Sequence, residues 1–445
     1  MSNLPFGRHR AKINANQTLS DDTAVHLENL DMTRIGLGPG NLALGEWQAK
    51  GLELPNNDII RQYRLERVRE KLRQFKYGGL VVSDPLNVRY ATDSSNMQVW
   101  TLHNNVRYCF IATEGPVILF DFKRVEHLSA HLPLIDEVRP AKMWNYLIGG
   151  ERTEQFAEGW AAEIADLMRQ HAGGNMRLAI DRVNPEGLWR LEHERLSIQN
   201  GEEIMELARV IKHDEEIKAM RCAIDACESA MHVMQANLRP GMSEQELWSH
   251  LHAENIKRGG EWLETRLLAS GPRTNPWYQE CSSRIIENGD MVAFDTDLIG
   301  AYGICVDISR SWLCGDRPPT PEQCTIYRIA YDQIMHNREL PKAGLTFEEV
   351  SAKAKSLPPD YLPNRYTVLY HGVGLCDEYP SLAYKEDWDA IGTSGVFEKN
   401  MVVCVESYVG KVGGKEGVKL EEQLLITEDG VEVLSSYPFE EILLN

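Results

Sequence analysis

The chain has 445 residues, with 47 Lys and Arg against 66 Asp and Glu, for a formal charge of −19. That length calls for two domains, each burying its own core. So negative a surface repels phosphate backbones and anionic headgroups, which excludes nucleic acid and membrane surfaces as expected partners.

The N-terminal stretch "MSNLPFGRHRAKINANQ" carries basic residues with no apolar run behind them, so no secretion leader is expected. Residues 1–55, with "GLGPGN" in the middle, read as an arm that packs on something rather than as a core. From Ile59 a helical spacing (Tyr63, Val68, Leu72, Phe75) leads into "GGLVVSD", "VILFDF" and "RLAID", an alternation of strands and helices that predicts a small α/β domain over residues 56–205. Nine scattered cysteines (Cys109, Cys222, Cys227, Cys281, Cys305, Cys314, Cys324, Cys376 and Cys404) form no CxxC pair. They fit a reducing compartment, so the expected location is the cytoplasm.

A second domain is predicted over residues 206–445. It opens on a helix in which Ile217, Met220, Ile224, Cys227, Met231 and Met234 recur three or four residues apart. Within it the sequence repeats itself faintly: "RPGMSEQEL" returns as "KAGLTFEEV", and "GDMVAFDTD" as "EKNMVVCVES". Ser243 with Glu246, and Thr346 with Glu349, are capping boxes that start a helix in each repeat. Two related halves facing one another would pool the acids that follow.

Those acids begin in "VAFDTDLIGAYGICVDISRSW". On a regular strand Asp295 and Asp297 would share one face, with Val292, Phe294 and Leu298 mainly on the other. A hairpin through "LIGAYG" would return Asp307 to the same face if the register allows. Alternating acids often face solvent on a half-exposed sheet. Buried together, however, three carboxylates repel one another unless a cation stands between them. Further ligand candidates are His371 in "LYHGVGLCDEYP", Glu406 in "MVVCVESYV" and Glu421 in "GVKLEEQLLIT". This oxygen-rich set with one imidazole suits two divalent ions, with iron, manganese, cobalt and zinc all open.

At these residues the half from about 206 onward resembles the pita-bread metallopeptidase and creatinase superfamily, which uses Asp, Asp, His, Glu, Glu in this order. The resemblance implies an α+β fold: a creatinase-like α/β domain, then a pita-bread domain whose curved, mostly antiparallel sheet has pseudo-two-fold symmetry and helices outside. Two departures stand out. Asp295 lies twelve residues before Asp307, with Asp297 as an additional acid. Where the peptidases carry histidines beside the substrate, this chain has "ASGPRTNPWYQEC" and, beyond His371, Asp377 and Glu378.

With "YATDSSNMQVW" and "LLASGPRTNPWYQECSSR", these departures make the whole chain similar to the DddP-type dimethylsulfoniopropionate lyases. That resemblance implies Asp295, Asp297, Asp307, His371, Glu406 and Glu421 as ligands of two divalent ions, iron first and manganese, cobalt or zinc as alternatives. It also implies a homodimer, a small zwitterionic sulfonium substrate, and base-catalysed β-elimination to dimethyl sulfide and acrylate with Asp377 as the base. A sulfonium offers no hydrogen-bond donors, so aromatic faces should hold it; Tyr366, Trp277, Tyr278 and Tyr370 are the candidates. Residues around Asp93 or Trp100 are candidates to line a pocket across the dimer. The alternative is a dinuclear metallohydrolase of the X-Pro peptidase or small-amide type.

Overall fold

The protein is described by a computed structural model over residues 12–13 and 38–445. Most of the expected arm therefore lies outside the described residues. The chain divides into two compact units, Met1–Gly36 with Asn57–Arg209, and Leu37–Asn56 with Val210–Asn445. No helix among the described residues is long and apolar enough to cross a membrane.

The first unit is a mixed sheet with helices. Its strands are β1 (Lys12–Ile13), β2 (Gly79–Val82), β3 (Tyr108–Ala112), β4 (Val117–Asp121), β5 (Glu137–Pro140), β6 (Arg177–Ile180) and β7 (Ser197–Asn200), in the spatial order β1-β5-β4-β3-β2-β6-β7. β2, β3 and β4 are buried throughout, which is why they read as continuous apolar runs rather than as alternation. The helix Thr153–His171 lays Trp160, Ile164, Leu167 and Met168 against Phe110 and Phe120. Trp100 sits on the helix Gln98–His103 beside Phe122, and Asp93 pairs with Arg61.

In the second unit the stretch from Val210 begins with the helix Asp214–Asn237, whose N-terminus is capped by His213 and Glu216. Asp214, Glu215 and Glu216 in its first turn also complement the helix dipole. Ala43 and Trp47, from the helix Asn41–Lys50, pack against Cys222, Ala226 and Ala301 of this same unit. The internal repeat is structural. Ser243 and Thr346 both form complete capping boxes, starting the helices Glu244–Lys257 and Phe347–Lys353. Both also bridge to the chain ahead of a later strand, Ser243 to Ile285 and Thr346 to Val396.

In the first half the strands are short: β8 (Trp262–Leu263), β9 (Leu268–Ser270), β10 (Met291–Phe294), β11 (Leu298–Ile299), β12 (Cys305–Val306) and β13 (Arg310–Leu313). β10 pairs antiparallel with β9 and β13, and β11 with β8 and β12. In the second half β14 (Tyr370–Val373), β15 (Asp377–Leu382), β16 (Val402–Gly410), β17 (Gly417–Ile426) and β18 (Val431–Val433) form one antiparallel sheet in the order β15-β14-β16-β17-β18. The halves are stitched along β13 and β17, where Glu421 N donates to Ser309 O at 3.2 Å and Lys419 N to Ser311 Oγ at 3.1 Å. Alternation along β16 and β17 then sorts the side chains. Val403, Val405, Val409, Val418, Leu420 and Leu424 join the core containing Ile326, Ala330 and Ile334 of the helix Pro321–Asn337. Cys404, Glu406, Lys419 and Glu421 occupy the other face.

Candidate metal centre and active site

β16 and β17 pair in register with Glu406 directly opposite Glu421, while His371 on β14 stands opposite Cys404. One ladder thus delivers the imidazole and two glutamates to a single patch. Asp295, Thr296 and Asp297 arrive differently. They lie in a break between β10 and β11 rather than on a regular strand, so the expected shared strand face is not how they meet. Thr296 points back into the hairpin, its Oγ1 donating to Val306 O at 2.8 Å and accepting from Ile308 N at 3.0 Å. Asp297 takes a left-handed backbone, φ 36°, which Asp tolerates better than most residues. The β11–β12 pairing, Leu298 with Val306, then returns the chain so that Asp307 follows directly.

The six expected ligands converge, and five of them are buried acids: Asp295, Asp297, Asp307, Glu406 and Glu421. His371 Nδ1 lies 3.0 Å from the carbonyl of Gly372. With Nδ1–H donated there, the Nε2 lone pair faces Glu406 Oε1 at 3.1 Å, Glu421 Oε1 at 3.3 Å and Asp307 Oδ2 at 3.5 Å. Lone pairs so arranged repel unless a proton or a metal stands between them. Burial opposes charge on His371, but Asp377 and Glu406 outweigh it and raise its pKa well above the ordinary value.

Sequence reasoning missed Lys419, and the structure places it at the centre of the acids. Its fully buried ammonium lies 2.7 Å from Glu406 Oε2, 2.9 Å from Glu421 Oε2 and 3.0 Å from Asp295 Oδ2, and 4.7 Å from the centre of the Tyr366 ring. Each glutamate therefore turns one oxygen to Lys419 and the other to His371. Ser309, also missed, has its Oγ 2.7 Å from Asp295 Oδ1 and 2.8 Å from Glu421 Oε2. A signal for Lys419 does exist in the sequence: on a strand, the residue two before Glu421 shares its face.

Charge distributes unevenly across the cluster. For Asp295 burial is the largest influence and acts upward, yet Lys419, Asp307 and Ser309 together hold its carboxyl well below the ordinary range. Burial and the neighbouring Asp295 push Asp307 and Asp297 well above theirs. Glu421, desolvated and facing Glu406, is raised to about 7. One lysine cannot neutralise so many carboxylates at once, and the rest hold protons or a metal. Asp307 Oδ1 is buried with no hydrogen-bond partner, a lone pair that a cation would satisfy. Three sets of potential donors overlap here: Asp307, His371, Cys404 and Glu421; Asp295, Glu406 and Glu421; Asp297, Asp307 and Asp377. The residues present fit a pair of divalent ions, with Asp307 and Glu421 common to two sets each.

Asp377 closes this cluster from the open side. Its side chain is 57 % exposed and its Oδ1 lies 3.6 Å from His371 Nδ1. Although the side chain is open on its outer side, the protein packed behind it partly desolvates the carboxyl and raises its pKa, and the charge on Glu406 adds to this against an opposing pull from His371. Gly372 permits a close approach of β15 to β14: a Cβ there would collide with the carbonyl oxygen of Tyr379.

The aromatic candidates separate. Tyr278 is 57 % exposed and stacks on Tyr366 with ring centres 5.4 Å apart. Trp277 is buried behind them, stacked on Tyr408 at 5.9 Å. Tyr370 does not belong to the site. It follows strand alternation to the face opposite His371, fully buried in the helix-packed core, and its hydroxyl donates to Asn337 O at 2.7 Å.

A curved antiparallel sheet with capped outer helices, an α/β unit before it, and a buried carboxylate–imidazole cluster define a pita-bread metalloenzyme with a creatinase-type N-terminal domain. The profile of the Creatinase/Prolidase N-terminal domain matches residues 64–222, and that of Metallopeptidase family M24 matches residues 218–428. The Xaa-Pro dipeptidase from Bacillus anthracis superposes with a TM-score of 0.68 over 85 % of this chain and 99 % of its own, at 23 % identity, and the prolidase from Pyrococcus horikoshii with 0.67 over 85 % and 99 %, at 21 %. These shared shapes show the fold. The chain is 45 % identical over 432 residues to the dimethylsulfoniopropionate lyase DddP of Roseovarius nubinhibens, covering 96 % of each, and 42 % identical over 419 residues to that of Roseobacter denitrificans, covering 93 % and 94 %. It belongs to the DddP family of dimethylsulfoniopropionate lyases.

Proposed function

We propose that this protein is a metal-dependent carbon–sulfur lyase that cleaves dimethylsulfoniopropionate to dimethyl sulfide and acrylate, with Asp377 as the general base. The observation that carries this reading is the half-exposed Asp377 carboxylate standing 3.6 Å from His371, at the rim of a buried acid cluster. Peptide hydrolysis in this superfamily is expected to use histidines beside the substrate; here an acid holds the position.

In this reading Asp295, Asp297, Asp307, His371, Glu406 and Glu421 hold two divalent ions. Bound there, the ions supply Lewis-acid charge that tempers the negative charge developing beside the substrate carboxylate. Asp377 takes the proton from the carbon next to that carboxylate. The C–H electron pair becomes the new double bond, and the C–S pair leaves with sulfur as neutral dimethyl sulfide. A carboxylate at the rim of the cluster, open to the substrate side, is placed to accept that proton. Tyr278, stacked on Tyr366 and open to solvent, offers an aromatic face to the sulfonium, with Trp277 supporting the pair. The buried Lys419 and Ser309 keep the carboxylates oriented.

Iron is the proposed metal, with manganese, cobalt and zinc as alternatives, because the donors are mostly carboxylate oxygens with a single imidazole. All nine cysteines are unpaired, which supports a reducing, cytoplasmic setting. A homodimer is proposed on the family likeness. The test is to incubate purified, metal-analysed protein with dimethylsulfoniopropionate and assay the headspace, beside release of proline from an X-Pro dipeptide. Dimethyl sulfide without proline is expected; a fully metal-loaded sample that yields no sulfide would overturn the assignment.

A further inference from the structure

Asp377 is exposed and stands at the first position of β15, directly after a short turn. The ladder alone does not fix its height. The register between β14 and β15 shifts between His371 and Gly372, so that His371 faces Ser381 while Gly372 faces Glu378 and Val373 faces Asp377. Beyond this bulge the pairing runs two residues out of step with the body of β15, so the pairing at His371 does not by itself set where the turn stands.

The neighbouring side chain supplies what the ladder lacks. Asp377 and Glu378 are successive strand residues and point to opposite faces. Glu378 turns inward, and its Oε1 accepts from Leu375 N at 2.9 Å, inside the turn. Its Oε2 accepts from Lys212 Nζ at 2.7 Å, with the two side chains only 1 % and 4 % exposed. The carboxylate packs so tightly under the turn that a Cβ on Gly374 would collide with it. The turn is tied from above as well, by Gly374 N to Cys376 O at 3.0 Å and Cys305 N to Gly374 O at 2.8 Å.

Lys212 is itself held. Its backbone N donates to Asn400 O at 2.9 Å, and Ile211 bridges to Met401, the residue before β16. Lys212 therefore refers the turn to the strand that carries Glu406. A buried, hydrogen-bonded ion pair is rigid because either charge, moved away from the other, would be left buried and uncompensated.

We infer that Glu378, clamped by Lys212, is a positioning residue that sets where the Asp377 carboxylate stands relative to His371. Asp377 meets the substrate and Glu378 does not; Glu378 acts by fixing the turn from which Asp377 projects. This rests on the reading of Asp377 as the base. Displacing a reacting group by about 1 Å costs on the order of 10²-fold in rate, so the clamp has a kinetic signature distinct from a stabilising role.

The test compares Glu378→Gln, Asp377→Asn and the double variant, all fully metal-loaded, with dimethylsulfoniopropionate and with substrate deuterated next to the carboxylate. E378Q should lose about 10²-fold in kcat with KM within about 3-fold of wild type, and its deuterium isotope effect on kcat should rise as proton abstraction becomes limiting. Added to D377N, it should cost nothing further, because its effect runs through Asp377. Lys212→Arg should retain most activity and Lys212→Met should behave as E378Q does. If E378Q fails to fold, Glu378→Asp, which keeps the charge and shortens the reach, replaces it. A folded, metal-loaded E378Q with normal kcat, or a loss that adds in full to that of D377N, overturns the clamp. D377N turning over at the wild-type rate overturns the base assignment instead, whatever E378Q does.

Discussion

The two halves of the second unit supply the same chemistry in different ways. In the second half His371, Glu406 and Glu421 ride on the regular ladder of β14, β16 and β17, the last two nine and ten residues long and buried on both faces. In the first half Asp295 and Asp297 sit at an interruption between strands of four and two residues, one of them at positive φ. A ladder fixes a side chain through regular pairing on both sides of it, while at the break the backbone is held by single bonds, Asp295 N to Leu267 O and Glu264 N to Asp297 O, both at 2.9 Å, with Thr265 hydrogen-bonding the Asp297 carboxylate. The two halves of the repeat thus present their donors from different backbone settings, one a long continuous ladder and the other a short irregular segment.

Four experiments bear on that contrast. The largest expected effect is at Lys419, the cation that ties the ladder side to the break through Asp295, Glu406 and Glu421. Lys419→Met strands those charges and should destabilise the metal-free protein by about 3–5 kcal/mol, read by denaturant unfolding; an unchanged midpoint would show that the acids simply share protons. Next, Glu421→Gln should cost more metal affinity than Asp297→Asn, because Glu421 belongs to two donor sets and Asp297 to one. At least about 10-fold should separate them in competition with a chelator, and equal losses would erase the distinction between the halves.

The third experiment uses pH. Glu421 is raised from 4.5 to about 7, so the folded metal-free protein binds a proton that the unfolded chain has already released between those values. Stability from this group is present below about pH 4.5 and falls as pH rises toward 7, by on the order of 2–3 kcal/mol. Metal-free wild type should lose more stability over that window than Glu421→Gln, and metal should remove the difference. The smallest effect is expected at Tyr278. Its replacement by Ala should raise KM for the sulfonium substrate by about 2–5-fold, the worth of one exposed cation–π contact, while leaving metal content and stability near wild type.

Much of the site is legible in the residues themselves. The unusual density of acids in "FDTDLIGAYGICVD", the Glu within an apolar strand and the two capping boxes each impose a physical demand that few arrangements meet. The capping boxes form as read, since a cap depends on residues three apart. Tyr370 falls outside the site although it precedes His371 directly, because adjacent strand residues face opposite ways and nearness along the chain is not nearness in space. Asp295 and Asp297 do not share the regular strand face expected of them, because alternation cannot reveal that β10 ends at Phe294.

Residue type and order were enough to mark which acids would need a proton or a cation if buried, because the cost of an unpaired charge belongs to the side chain wherever the chain carries it. That Lys419 meets Asp295 across 124 positions, and that Lys212 reaches Glu378 across 166, came only from the folded molecule. Periodicity assigns a side chain to a face, but the register of strands brought together by long-range pairing decides what that face meets.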